Sequence, residues 1–179
     1  QQYNKQKLVP FGEFLPFETI LKKFGLKKIT EGYGSFQKGY KKINIKVDKL
    51  NILPLICYEA IFTSFIQQAS FETNLIVNIS EDAWFGNTIG PNQHYSKSIF
   101  RSIEKGTFFL RSANKGISAI INNKGVPVKQ LNRNEEGSLE YEVPLIKSKN
   151  NKNDLIFFVL LITYFLSFQF YKNKNYGKQ

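Results

Sequence analysis

The 179-residue sequence contains no methionine, one cysteine, one histidine and one tryptophan. A single cysteine excludes an internal disulfide, and with it a disulfide-stapled scaffold. One histidine and no paired His/Cys/Asp spacing leave no metal-binding motif, so neither a metal nor a cofactor is expected. Acidic residues are scarce as well: 14 Asp and Glu stand against 25 Lys and Arg, a formal net charge of +11. The lysines are scattered, with pairs at Lys22-Lys23, Lys27-Lys28 and Lys41-Lys42. No aromatic/glycine RNA-binding signature and no helix-turn-helix pattern accompany them. Nucleic acid is therefore not the expected partner, and an anionic membrane surface suits the charge better. The chain opens at Gln1 without a charged-then-apolar signal peptide. Lacking an initiator, it reads as a processed product or a piece of a longer protein.

What is present divides into two parts. The length suffices for one domain with a sizeable core. Residues 1–146 read as one α/β unit. Ile43, Ile45 and Val47 alternate with polar residues, as in a half-buried strand. Asn51 to Cys57 and Asn74 to Ile79 read as deeper strands. Ile117 to Ile121, the turn Asn122-Asn123-Lys124-Gly125 and Val126-Pro127-Val128 predict a hairpin. Glu18 to Phe24 predicts a short helix that Gly25 stops. Gln93 to Arg111 predicts a longer one, entered after Pro91. Ile99, Phe100 and Ile103 would give its apolar face, with Arg101, Glu104 and Lys105 toward water or a neighbour.

Residues 147–153, rich in Lys and Asn, read as a linker. Beyond it, Leu155 to Tyr171 carries no charge and is mostly apolar. As a helix it would rise roughly 25 Å, slightly short of a ~30 Å hydrocarbon core. Lys152 and Lys172 at its ends could snorkel to make up the difference. A transmembrane helix is expected over 154–171, followed by a basic tail at 172–179. Lysines flank both ends, so the positive-inside rule gives no orientation.

Three segments carry the chemistry-bearing residues. The run Leu53-Pro54-Leu55-Ile56-Cys57-Tyr58-Glu59-Ala60 leads an apolar strand into the lone thiol, with a carboxylate two residues beyond. Taken alone, Cys57 is as readily a small buried hydrophobe as a nucleophile. Upstream, the loop Lys5-Gln6-Lys7-Leu8-Val9-Pro10-Phe11-Gly12-Glu13 offers a lysine and a glutamate on a backbone constrained by proline and glycine. Downstream, Asn78 to His94 holds the only Trp and the only His. Acyl transfer through a thiol needs a base, an oxyanion partner and a nucleophile on a rigid element. Cys57 and Lys5 supply two of these, and Glu13 or Glu59 the third or a support for the lysine. His94 also admits a Cys-His protease reading.

Together the segments resemble the apolipoprotein N-acyltransferases, the membrane-bound branch of the nitrilase (carbon–nitrogen hydrolase) superfamily. The likeness rests on Lys5 with Leu8-Val9-Pro10-Phe11-Gly12-Glu13, on Ile56-Cys57-Tyr58-Glu59, and on Asp82-Ala83-Trp84-Phe85-Gly86 with Gly90-Pro91 and Gln93-His94. Arg111, Asn114 and Gly116-Ile117 continue it. The resemblance implies part of an α-β-β-α sandwich followed by one transmembrane helix, and a Glu-Lys-Cys triad. Cys57 would be the nucleophile, Lys5 the triad lysine and Glu13 a supporting glutamate, with Tyr58, Glu59 and Trp84 near the site. Two departures stand out. The family's general-base Glu lies upstream of the lysine motif, and only four residues precede Lys5 here. The chain is thus expected to be a C-terminal part, inactive by itself. Glu81 stands where the family usually has Asn.

The resemblance further implies transfer of an acyl chain from a phospholipid to the diacylglyceryl-cysteine of an apolipoprotein through a Cys57 thioester. The setting would be the bacterial inner membrane, with the catalytic domain facing the periplasm and several spans in the whole protein. Two alternatives remain: a nitrilase-type amidase acting on a small amide, and an inactive membrane-tethered remnant that binds lipoprotein.

Overall fold

The computed structural model describes residues 1–25, 27, 36–40, 44–146 and 154–176. The chain divides into two compact units, Gln1–Ser148 and Lys149–Gln179. The first is built on one six-stranded sheet in the order β1-β2-β3-β4-β5-β6. The strands are β1 (Ile45–Val47), β2 (Leu50–Ile56), β3 (Leu75–Glu81), β4 (Phe108–Asn114), β5 (Ser118–Ile121) and β6 (Pro127–Leu131). The three central strands are parallel, with Leu55 opposite Asn78 and Asn78 opposite Arg111. The outer pairs are antiparallel.

Two crossovers join the parallel strands, through α2 (Thr63–Gln68) and α3 (Gly90–Lys105). Strands added in sequence order by right-handed crossovers bring both helices to one face. That face holds the larger core, where Leu53, Leu55, Ile76, Phe109 and Ile121 meet Phe65, Ile66 and Tyr95. Alternation along the strands sends Leu75, Phe108 and Ile120 to the opposite face, where Leu139, Val143 and Ile146 pack on them. The order and the mixed sheet match the expected α/β class, and the C-terminal ends of β2 and β3 open side by side. In open α/β sheets ligands bind outside those ends.

Local differences from the sequence-based expectations have physical causes. Strand β2 stops at Ile56 rather than Cys57, because Cys57 turns into left-handed backbone (φ 50) and starts a short 3-10 turn, Cys57–Ile61. Helix α3 begins at Gly90, with Pro91 inside its first turn, and ends at Lys105, not Arg111. Gly106 takes up φ 67 and donates its N–H to Ser102 and Ile103, closing the helix as only glycine does without strain. The following Thr107-Phe108-Phe109-Leu110 enters β4 instead. The faces of α3 follow the expectation only in part: Ile99 packs on the core and Glu104 is exposed, but two of the apolar residues turn outward. Phe100 and Ile103 are about half exposed, whereas Arg101 and Lys105 are buried. Arg101 donates to Thr63 Oγ1 at 2.8 Å and Lys105 to the Ala69 carbonyl at 3.2 Å, so their charges reach α2 and its C-terminal end.

The hairpin β5-β6 forms as expected, its turn held by Asn122 Oδ1, which accepts from Lys124 and Val126 N–H. The short helix α1 (Glu18–Leu21) continues as a 3-10 turn to Phe24 and closes at Gly25 (φ 74). Ile43 and the 147–153 segment lie outside the described residues. In the second unit, α4 (Asp154–Tyr176) contains a stretch, Leu155–Lys174, long and apolar enough to cross a bilayer.

Candidate active site

Cys57 is half-buried at the end of β2, in a cavity of about 730 Å³. Lys5 and Glu13 line the same cavity, as do Tyr58, Glu81, Trp84 and His94. Most of the remaining wall is apolar, with Val9, Ile56, Ile61, Ile79 and Phe85. The volume lies within the roughly 300–1,000 Å³ of small-molecule sites.

The Lys5 ammonium donates to Glu13 Oε1 at 2.6 Å, and both side chains are largely shielded from solvent. Glu13 Oε2 accepts the Val9 N–H at 2.8 Å, so the glutamate is fixed by its own loop. That loop packs under Trp84: a Cβ placed on Gly12 would lie 3.0 Å from Trp84 Cζ3. A side chain at position 12 would press on the indole, and the half-exposed indole connects the lysine loop to the turn after β3.

Glu59 is fully buried and is not among the residues lining the cavity. Its Oε1 accepts from the backbone N–H of Gln6 (2.5 Å) and Lys7 (3.0 Å). Its Oε2 accepts from Tyr3 Oη (2.9 Å) and Ile56 N–H (2.8 Å). The carboxylate thereby ties the lysine loop to the end of the cysteine strand. Burial first, and then the Glu59 charge and hydrogen bond, push the Tyr3 phenol well above its ordinary value. Tyr58 meets Phe62 edge-to-face at 4.9 Å.

Behind Cys57 stands a buried polar network that sequence reasoning did not assemble. His94 Nε2 lies 3.1 Å from the Cys57 carbonyl oxygen, and His94 Nδ1 lies 2.9 Å from Asp82 Oδ1. Asp82 Oδ2 accepts from Arg111 at 2.6 Å, and Ser80 donates to Asp82 Oδ1 at 2.7 Å. Arg111 also donates to Asn78, whose amide donates to the Leu55 carbonyl at 2.9 Å. Burial raises the Asp82 carboxyl, but His94, Arg111 and Ser80 outweigh it and leave it below its ordinary value. Burial lowers the Arg111 guanidinium, opposed by Asp82 and by the Cys57 side chain. The available signal was an arginine following Phe108-Phe109-Leu110, where a charge needs a buried partner. With both ring nitrogens occupied, His94 is not placed as a base toward the thiol, which weakens a Cys-His dyad. Glu81 caps its turn by accepting from Ala83 N–H at 3.1 Å and from Asn114 at 2.8 Å.

A mixed α/β sheet with a cysteine at a parallel strand end, beside a lysine–glutamate pair, defines a nitrilase-type protein. Two solved structures share the fold. One is a CN-hydrolase superfamily protein from Xanthomonas campestris with an arsenic adduct in its active site. It is 16% identical, with a TM-score of 0.53 over 76% of this chain and 49% of that one. The other is an amidase mutant from Nesterenkonia sp. AN1 with acrylamide added at its active-site cysteine. It is 15% identical, with a TM-score of 0.52 over 86% of this chain and 55% of that one. Residues 1–150 match the carbon–nitrogen hydrolase family, and the chain belongs to it.

Among curated relatives, the apolipoprotein N-acyltransferase of Rickettsia typhi is 40% identical over 94% of this chain, which spans 36% of that protein. That of Rhizobium leguminosarum bv. trifolii is 40% identical over 78% of this chain and 26% of its own length. The chain thus spans about a third or less of the curated relatives it matches.

Proposed function

We propose that this chain supplies the nucleophile of an apolipoprotein N-acyltransferase. The observation that carries it is one apolar cavity shared by Cys57, Lys5 and Glu13. A base takes the Cys57 thiol proton, and the thiolate attacks the ester carbonyl of a phospholipid acyl chain. Lys5 stabilises the oxyanion, held in place by Glu13 at 2.6 Å. The tetrahedral intermediate expels a lysophospholipid, whose oxygen takes up the proton, and a Cys57 thioester remains. The α-amino group of a diacylglyceryl-cysteine apolipoprotein attacks the thioester and gives up a proton to the base, an amide forms, the C–S bond breaks, and the Cys57 thiolate is released. By the family resemblance, the base is a glutamate upstream of the Lys5 motif.

Residues 1–146 are assigned to the hydrolase domain, 147–153 to a linker, 154–171 to a membrane helix and 172–179 to a basic tail. The membrane is that of the bacterial cytoplasm, with the catalytic domain on the periplasmic side and several spans in the whole protein. Apolar cavity walls and a candidate span both favour lipid substrates over a small amide.

The test is complementation, by the gene product that carries this sequence, of a strain depleted of its own N-acyltransferase. Mass spectrometry of a model lipoprotein reads N-acylation directly. Cys57→Ala and Lys5→Ala are each expected to abolish it, with membrane levels of the protein unchanged. Acylation retained by either variant overturns the assignment.

A further inference from the structure

Cys57 is held in left-handed backbone (φ 50), a conformation that costs a non-glycine residue of order 1 kcal/mol or more and persists only where its surroundings enforce it. One residue upstream, the chain is anchored by the Ile56 N–H, which is bound by Glu59. On the other side, the Cys57 carbonyl oxygen faces His94 Nε2 at 3.1 Å. A carbonyl only accepts, so Nε2 carries a proton. The ring cannot swing away, because Nδ1 is engaged by Asp82, which in turn is locked by Arg111 and Ser80. All of these side chains except Ser80 are buried. The chain Arg111–Asp82–His94 therefore ends on one atom of the nucleophile's own peptide.

We propose that His94 is a positioning residue for Cys57, whose Nε2–H fixes the left-handed turn that presents the thiol to the cavity. This rests on reading Cys57 as the nucleophile, but it concerns the backbone rather than the transferred group. His94 needs no contact with substrate for this role.

The amide nitrogen of a glutamine reaches the position of Nε2, and that of an asparagine the position of Nδ1. His94→Gln retains a donor for the Cys57 carbonyl. His94→Asn retains a partner for Asp82 and leaves the carbonyl without one. The chain has one cysteine and one histidine, so selective labels report single sites. The 179-residue chain in detergent micelles would be prepared with ¹³C-cysteine, and its iodoacetamide alkylation rate measured alongside.

The Gln variant is expected to keep the parent's Cys57 Cα and Cβ shifts and to alkylate within about threefold of it. The Asn variant is expected to lose the left-handed shift signature and to alkylate about five- to tenfold more slowly, the size of one lost hydrogen bond. An Asn variant indistinguishable from the Gln variant, whether both match the parent or both depart equally, overturns the proposal. If either variant fails to fold, the parent alone decides through ¹⁵N-histidine spectra. A protected Nε2–H supports the assignment, and an unprotonated Nε2 refutes it. None of these readouts uses acyl transfer, so a failed complementation would leave this result standing.

Discussion

The Glu59 carboxylate accepts the backbone N–H of Gln6 at 2.5 Å, across 53 residues of sequence. With the Lys7, Tyr3 and Ile56 donors on its other lone pairs, it joins the lysine loop to the cysteine strand at a point fully closed to water. An ionised carboxylate suits such a place, because it accepts from every direction and donates in none. The relative placement of Lys5 and Cys57 thus depends on a residue that does not line the cavity.

Glu59→Gln tests this most directly. The change preserves shape but replaces one acceptor oxygen with an NH2 group facing two donors. A loss of about 2–4 kcal/mol in unfolding free energy is expected from the stranded buried donors. Urea titration followed by circular dichroism measures it. A loss below about 0.5 kcal/mol would show that the tether is dispensable.

The same cluster makes an alkaline prediction. Tyr3 titrates above its ordinary value of 10.0 in the folded chain, chiefly through burial and then through Glu59. A raised folded value means that stability is complete below the unfolded value and declines as pH rises toward the folded one. Above about pH 10 the parent should lose stability at up to about 1.4 kcal/mol per pH unit from this group. Tyr3→Phe removes this contribution and leaves that of Tyr95, which burial also raises. Unfolding free energies at pH 8, 10 and 11 for both proteins settle the sign.

Much of this architecture is legible in the sequence, and the failures have a common origin. The apolar run into Cys57, the Asn74–Ile79 strand and the Asn122–Gly125 turn are local signals, and they form close to where the pattern places them. Helix α3 misled twice. Its end is set by Gly106 within an otherwise uninterrupted apolar pattern, and its buried face carries Arg101 and Lys105 because acceptors on and beside α2 await them. At the site, Lys5, Glu13 and Cys57 were visible as residue types at fixed spacing. Glu59 was visible only as a candidate support for the lysine, and the Asp82–Arg111 pair was not visible at all, since the Glu59–Gln6 and Asp82–Arg111 contacts join residues 53 and 29 positions apart.

Gly116 limits what the Asp82 network tolerates. A Cβ there would overlap the Asp82 carboxylate, with Cγ only 2.7 Å away, and Asp82 is pinned between Arg111 and His94. Neither a flexible side-chain end nor open space is available to absorb a methyl. Gly116→Ala is expected to destabilise the first unit by about 1–3 kcal/mol, the range of core overpacking. The melting temperature should fall accordingly. An unchanged melting temperature would show that the β4-β5 turn can move aside.

The C-terminal helix offers a test independent of the catalytic reading. Leu155–Lys174 is apolar enough to span, and Leu161 lies close to the middle of the uncharged run 155–171, with no charge within five residues on either side. If the segment integrates into a bilayer, an arginine at this position replaces a favourable apolar transfer with a cost of about 2.5–3.5 kcal/mol near the helix centre. Snorkelling from position 161 is hindered, because roughly 9 Å of helix separates it from the Leu155 end. Leu161→Arg should therefore shift the protein from the carbonate-resistant membrane fraction toward the extractable one. Leu161→Ala, which removes volume but no more than a little hydrophobicity, should not. Equal retention of the Arg and parent proteins would mean that the helix is not buried in lipid at this depth, and the membrane assignment of 154–171 would fall with it.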